Sequence, residues 1–291
     1  MKRILITGAS GFLGGHLCSQ AVSQAQVYGL CHHHSALPPG VTPVRLDLAD
    51  SGGIAPVLQA VNPDTIIHAA VLQVDECETR PELARLINVE ATRVIARWCG
   101  GQGRRLVYIS SDLVFAGDTG WYVETDVPKP LSVYGATKRE GELVTLAHCP
   151  QAAVARLPLL YGLPYARGYC FFAGMLERLR QGEEVTVFHD QYRTPGLVGN
   201  MAAAVLELAG TGFAGIIHLG GAQRGSRFEF ARTLCRIAGF PETLLRPVSM
   251  FAVALPAARP RDVSLKNTIA PGLLRTPLLG FEEGLRMLVG H

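Results

Sequence analysis

The sequence predicts an α/β chain built on a doubly wound, mainly parallel sheet, with a smaller lobe supplied by its C-terminal half. Three observations predict it. Short apolar runs alternate with helical stretches through the first 157 residues. A glycine-rich turn stands directly between the first run and the first helical stretch. After residue 157 the alternation gives way to a mixture of Gly, Pro, Tyr and Phe. Alternating β and α segments argue for a parallel sheet covered by helices on both faces. Crossovers in such a sheet are right-handed.

The elements follow in order. Ile4–Thr7, Gln26–Leu30, Thr42–Leu46, Thr65–Ala69 and Leu106–Ser110 read as strands. Between them His16–Gln24, Ile54–Val61, Glu82–Cys99 and Tyr134–His148 read as helices. Ala153–Leu157 reads as a further strand, Ala173–Gln181 as a helix, 197–209 as a helix, and Ile216–Leu219 as a late strand of the main sheet. The remainder is Pro-rich and less regular. Residues 1–157 are expected to form the main unit, with 194–220 returning to it, and 158–291 to form mainly a second lobe that binds substrate. No internal repeat or low-complexity linker is visible.

Composition narrows the class. The chain has 291 residues, 48% hydrophobic and 18% charged, enough for one large core or two packed lobes. The net charge of +3 is small and its cations are scattered, which argues against nucleic acid and against a polybasic membrane anchor. No apolar run approaches the length of a membrane span. The sequence Met1–Ile6 leads straight into a strand pattern without a signal peptide's apolar stretch, so a cytoplasmic protein is expected. The seven cysteines, at 18, 31, 77, 99, 149, 170 and 235, form no CxxC pair. That spacing suits small buried hydrophobes in a reducing compartment better than disulfides or zinc. His32-His33-His34 cannot all face one ion and reads as a loop, and no compact metal-ligand pattern occurs elsewhere.

The segment Thr7-Gly8-Ala9-Ser10-Gly11-Phe12-Leu13-Gly14 carries the first chemistry. Gly8 suits a tight turn, Gly11 a close backbone approach to a pyrophosphate, and Gly14 the packing of helix on strand. With Ser10, Phe12 and Leu13 they place helix N-terminal amides against phosphates. This is a Rossmann-type dinucleotide site. A NAD site usually adds an acid about 20 residues on, at the end of the second strand. Here Tyr28–His34 holds no carboxylate, and an imidazole such as His32 can donate to a 2′-phosphate. NADP(H) is therefore favoured over NAD(H).

Tyr134-Gly135-Ala136-Thr137-Lys138 sets a phenol and an ammonium on one face at the start of a helix. A nearby cation is expected to lower the phenol's pKa and so prepare it to exchange a proton with a carbonyl or alcohol. Ser110-Ser111-Asp112 ends the Leu106–Ser110 strand, where open α/β sheets bind their ligands. A Ser111 hydroxyl there can hydrogen-bond a reacting carbonyl oxygen. Ser111, Tyr134 and Lys138 are the candidate catalytic residues.

Together these motifs resemble the extended short-chain dehydrogenase/reductase family, and within it the dTDP-4-dehydrorhamnose reductases. The resemblance runs nearly end to end, through His68-Ala69-Ala70-Val71, Val74–Glu78, Ile87-Asn88-Val89, Ile109–Phe115, Glu124-Thr125-Asp126, Pro130–Gly135, Asp190-Gln191-Tyr192 and Arg259–Asp262. It is weakest after about residue 220. It implies hydride transfer from NADPH to C4 of a nucleotide-linked 4-keto-6-deoxy sugar. It further implies Tyr134 as proton donor, Lys138 on the nicotinamide ribose and Ser111 on the keto oxygen. Asp47 and Leu48 would flank the adenine, Ala69, Ala70 and Val71 would line the cofactor, and Asp112 would lie near the sugar. A homodimer is common among such relatives.

Two positions depart from the family. Leu113 and Leu159 stand where aromatic residues usually face the sugar, and a leucine offers area without a flat ring. A dehydratase would carry a glutamate after Asp112, where Leu113 stands. An epimerase would show the second-strand acid. A different alternative is a non-catalytic NADP-binding subunit, resembling the regulatory subunit of methionine adenosyltransferase.

Overall fold

The computed structural model describes residues 1–32, 36–165 and 170–289. Its centre is a seven-stranded sheet in which all neighbouring strands are parallel. The strands are β1 (Arg3–Thr7), β2 (Gln26–Cys31), β3 (Val41–Arg45), β4 (Thr65–His68), β5 (Arg105–Ser111), β6 (Ala153–Leu157) and an edge strand, Gly215–His218. Across the sheet the order is β3-β2-β1-β4-β5-β6 and then Gly215–His218. The chain winds outwards from β1, returns to β4, and winds the other way. The carboxyl ends of β1 and β4 therefore border the topological switch, where such sheets bind ligands. This is the Rossmann-type doubly wound fold that the alternating pattern predicts.

Both faces of the sheet are covered. Leu5, Leu30, Ile66 and Leu106 pack against α2 (Ser51–Val61) and the helix Ala91–Gln102, through Ile54, Leu58, Ile95 and Cys99. Ile6, Val27, Ile67 and Val107 pack the other way, against α1 (Phe12–Ala21) and the helix Val198–Gly210, through Leu17, Met201 and Val205. Burial on both sides explains why β4 is buried at every position instead of alternating. A second core gathers Phe172, Leu176, Phe230, Leu234, Phe281 and Leu285. These come from the helices Phe171–Arg180, Arg227–Ala238 and Phe281–Val289, beside the parallel pair Val185–Phe188 and Leu245–Val248.

The structure corrects several boundaries. α1 starts at Phe12, not His16, because Gly11 is its N-cap and Gly14 and Gly15 continue the helix. The single helix expected over Glu82–Cys99 is three pieces: Pro81–Arg85, a π-turn at Leu86–Glu90, and Ala91–Gln102. A short helix, Val74–Thr79, precedes them. The tail expected to be irregular contains Arg227–Ala238 and Phe281–Val289. The first of these opens with a capping box, in which Ser226 and Glu229 satisfy each other's backbone amides. Among the described residues no helix is long and apolar enough to cross a membrane. All seven cysteines are free and buried.

Candidate functional site

The glycine loop is shaped by close backbone approach. Gly8 has φ +67°, and a Cβ on it would lie 2.8 Å from Ala70 Cα. A Cβ on Gly14 would lie 2.0 Å from the Gly8 carbonyl oxygen. Only glycine lets α1 start this close to β1. The loop is tied to the end of β4 through Thr7, whose Oγ1 accepts the amides of Ala69 and Ala70, each at 3.1 Å. With both lone pairs engaged, the Thr7 hydroxyl proton goes to His68 Nδ1 at 2.7 Å. His68 is then protonated on Nε2, which donates to Thr92 Oγ1 at 3.0 Å, and Thr92 donates to the Asn88 carbonyl at 2.8 Å. Burial pulls the His68 pKa down to about 3, so the ring is neutral, as this chain of bonds requires. The Asn88 side chain accepts the Leu72 amide at 2.9 Å and donates to Thr137 Oγ1 at 3.0 Å. A directed path of hydrogen bonds thus joins the loop to the helix that carries Tyr134 and Lys138. Asn88 sits in the π-turn, a distortion frequent at functional sites.

Two serines and a glycine bring the catalytic candidates together. Ser111, at the end of β5, caps the turn Asp112–Val114 by accepting the Leu113 amide at 3.2 Å, and it donates to Asp112 Oδ1 at 3.1 Å. Ser132 caps the helix Val133–His148 by accepting the Gly135 amide at 3.1 Å. A Cβ on Gly135 would stand 2.3 Å from the Leu113 carbonyl oxygen. Glycine there lets the first turn of the helix press against the turn after β5, with Tyr134 facing Ser111. One turn on, Lys138 is fully buried, with Nζ 4.2 Å from the centre of the Tyr108 ring.

The electrostatics reverse one expectation. Burial pushes the Tyr134 phenol above its ordinary range, against the pull of the Ser111 hydroxyl, and the Asp112 carboxylate adds to the rise. Lys138 does not lower it. Its ammonium lies over Tyr108, and burial brings its own pKa from 10.5 to about 7, with Glu142 opposing. Desolvation by the protein packed around the phenol outweighs the expected cation effect, and Lys138, set off the cleft wall, is itself desolvated. Burial also raises Asp112 from 3.8 to about 6, against the pull of Arg193.

A cleft of about 770 Å³ lies between the sheet's carboxyl edge and the second lobe. Gly8, Gly11, Phe12, Leu13, Gly14, Ala69, Ala70, Val71, Ser111, Asp112 and Tyr134 all line it. Across from them stand Phe171, Gln191, Arg193, Arg227 and Arg259. The volume is that of a small-molecule or cofactor site. The glycine cradle and the helix N-terminus fit a dinucleotide. Leu113 and Leu159 are both on its wall, so the two departures from the family pattern fall at the ligand surface. Lys138 lies behind Tyr134. Ser10, His32, Asp47 and Leu48 are not on the wall. The Leu48 side chain belongs to the apolar core with Leu5 and Ile54, so only its backbone can face an adenine.

The profile of the family described as "RmlD substrate binding domain" matches residues 1–291. The chain belongs to the RmlD substrate binding domain family. It falls within the extended short-chain dehydrogenases/reductases, as its motifs indicate. It is 32% identical to the "Probable low-salt glycan biosynthesis reductase Agl14" of Haloferax volcanii, over 97% of this chain and 96% of that protein. It is 30% identical to "Methionine adenosyltransferase 2 subunit beta" of Danio rerio, over 91% of this chain and 83% of that one. Among solved structures it matches dTDP-4-dehydrorhamnose reductase from Bacillus anthracis in complex with NADP, with a TM-score of 0.84 and 31% identity, covering 99% of each chain.

In this RmlD-family chain the end of β2 differs from its sequence reading. No acid stands on β2, yet Asp47, just beyond β3, comes within 3.4 Å of His32. A carboxylate thus reaches the end of β2 from the neighbouring strand. Arg45, which pairs in register with Cys31, adds an exposed cation beside it that motif reading overlooked. His33 and His34 lie outside the described residues. His68, Asn88 and Thr92 entered the sequence reading at most as family matches, and Arg193 was not singled out at all. Among the described residues no group of three or more His, Cys, Asp or Glu could hold a metal ion.

Proposed function

We propose that this RmlD-family protein is an oxidoreductase that uses NADPH to reduce the 4-keto group of a nucleotide-linked 6-deoxy sugar. One observation carries the reading: Ser111 and Tyr134 share a single cleft with the glycine loop, and Lys138 stands directly behind them. Gly8, Gly11 and Gly14 would hold the pyrophosphate against the N-terminus of α1. When bound, NADPH supplies the hydride. The Ser111 hydroxyl, turning its proton from Asp112, would orient the keto oxygen, and Tyr134 would donate its proton to that oxygen as charge develops there. A phenol whose pKa is raised by burial stays protonated at neutral pH, which is the form a proton donor needs. Lys138 would hold the nicotinamide ribose by turning its ammonium from the Tyr108 ring towards the cleft. The second lobe, with Asp112 on the facing wall, receives the sugar nucleotide.

Preference for NADPH over NADH rests on the absence of an acid from β2 and on Arg45 and His32 at its end, with Asp47 as the opposing charge. The Bacillus anthracis neighbour in complex with NADP supports the same choice. A fluorescence titration that ranks NADH first overturns it. A cytoplasmic setting, without nucleic-acid or membrane partners, belongs to this reading.

The test is NADPH oxidation, followed by absorbance, with a dTDP-4-keto-6-deoxy sugar. Tyr134→Phe is expected to lose about 10²–10⁴-fold in turnover while binding NADPH as before. Unchanged turnover removes Tyr134 from the mechanism. The likeness to a methionine adenosyltransferase beta subunit supports a second reading, a non-catalytic NADP-binding subunit. Tight NADPH binding without turnover, together with co-purification of a second protein, favours that one.

A further inference from the structure

Tyr134, Lys138 and Glu142 follow one another at four-residue intervals along the helix Val133–His148, so phenol, ammonium and carboxylate share one side of it. Glu142 is fully buried. Its Oε1 accepts Ser110 Oγ and Arg156 Nε, each at 2.7 Å. Its Oε2 accepts Arg156 Nη2 at 2.9 Å and Arg139 Nη1 at 2.8 Å. Ser110 and Arg156 are register partners on the adjacent strands β5 and β6. The carboxylate therefore stands on a two-strand platform, one residue back from Ser111. Arg156 is fixed in turn by the edge strand. His218 Nδ1 donates to the Tyr122 carbonyl at 3.1 Å, which leaves Nε2 to accept from Arg156 Nη1 at 3.3 Å. Burial and the Arg156 guanidinium push the His218 pKa down, so the ring is neutral, as these bonds require.

The groups that face Lys138 are Glu142 on its own helix, Tyr108 on β5, His68 on β4 and Cys77 on Val74–Thr79. Burial keeps the Cys77 thiol and the Tyr108 phenol protonated and the His68 ring neutral. The bonds from Arg156 and Ser110 hold Glu142 ionised against its own burial. Among the described residues Glu142 is thus the one anion facing the Lys138 ammonium. Stability alone does not explain this arrangement, because an apolar pair of similar volume often serves as well as a buried ion pair.

We propose that Glu142 is a positioning residue, which seats the helix carrying Tyr134 on the strand carrying Ser111 and acts as counter-ion to Lys138. The proposal rests on the reductase reading. It adds a residue that acts through the catalytic helix without touching substrate.

The experiment follows kcat, KM and their pH dependence in Glu142→Gln, which keeps the shape and removes the charge. The double variant Glu142→Gln/Arg156→Met strands no buried guanidinium, and so keeps the test open if the single variant folds poorly. NADPH titration confirms that each variant is folded. In both, kcat is expected to fall roughly 10- to 100-fold with KM little changed, as a misplaced catalytic helix would cause. The alkaline decline of kcat/KM, set by Lys138, is expected to move to lower pH by about one pH unit, because an opposite charge has been removed. A structural role alone would lower the melting temperature and leave that decline in place. Variants whose decline stays at the wild-type pH, or whose kcat equals that of wild type, overturn the proposal. Absence of turnover in wild type would instead sink the reductase reading. The pH dependence of the NADPH dissociation constant, which needs no sugar, then decides the role of Glu142, and identical profiles in wild type and variants overturn it.

Discussion

Replacing Gly141 by alanine tests how the catalytic helix is seated. Gly141 lies in Val133–His148, on the face turned to β5. A Cβ there would stand 2.0 Å from Tyr108 Oη, 2.6 Å from its Cζ and 3.2 Å from the Asn88 carbonyl oxygen. Ordinary contact begins near 3.4 Å, so the shortfall is about 1.4 Å. Tyr108 cannot swing aside, because it is fully buried beneath this helix and its hydroxyl donates to the Lys138 carbonyl at 3.4 Å. The helix must therefore lift from the sheet by on the order of 1 Å, and Tyr134 and Lys138 move with it. Overpacking of this kind costs about 1–3 kcal/mol, offset by at most about 1 kcal/mol of helix propensity. Each kcal/mol lowers Tm by roughly 2–4 °C in a chain of this size. Misplacing a catalytic group by about 1 Å costs on the order of 10²-fold in rate. Gly141→Ala is thus expected to melt a few degrees lower and to lose about 10²-fold in kcat, while the glycine loop still binds NADPH. The control is Gly101→Ala in Ala91–Gln102, where an added Cβ meets nothing within 4 Å. It should be neutral or slightly stabilising. Thermal melts and NADPH oxidation on the two variants decide the matter. A Gly141→Ala protein that melts and turns over like wild type would refute the packing argument.

Other expectations follow from single contacts. Lys138, with its pKa near 7, loses its charge as pH rises through that value, so kcat/KM is expected to decline above about pH 7. The groups that face it are Glu142, Cys77, Tyr108 and His68. Lys138→Arg stays charged and should flatten that limb, and a wild-type profile flat from roughly pH 6 to 9 would contradict the argument. Between about 7 and 10.5 the unfolded chain binds more protons at this residue than the folded one, so its contribution to stability rises with pH across that window. Lys138→Met should remove that rise in a series of melts. Ser226→Ala breaks the capping box of Arg227–Ala238 and should cost about 1 kcal/mol, seen as a Tm lower by a few degrees. Gly14→Ala sets a methyl 2.0 Å from the Gly8 carbonyl and should weaken NADPH binding, and an unaltered titration curve would remove the loop from the cofactor site.

The sequence by itself determined what local chemistry can encode. Gly8, Gly11 and Gly14 are legible because the turn, the close approach and the helix start lie within one short segment. Tyr134 and Lys138 are legible because the helical period alone sets them on one face. The parallel sheet is legible because strands buried on two faces leave continuous apolar runs such as Leu106–Ile109. The helix after Ser226 had its capping signal in plain view, but proline-rich surroundings outweighed it in the reading. Tertiary structure alone decided the rest. The direction of the Tyr134 shift depends on desolvation, a sum over every element packed around the phenol, and not on its helical neighbour Lys138. Asp47 reaches His32 only because β2 and β3 lie side by side. Asp112 and Arg193, distant in sequence, face each other only because the second lobe folds back over the carboxyl edge of the sheet. A pair of buried charges is a relation between two surfaces, and neither residue's sequence neighbourhood carries it.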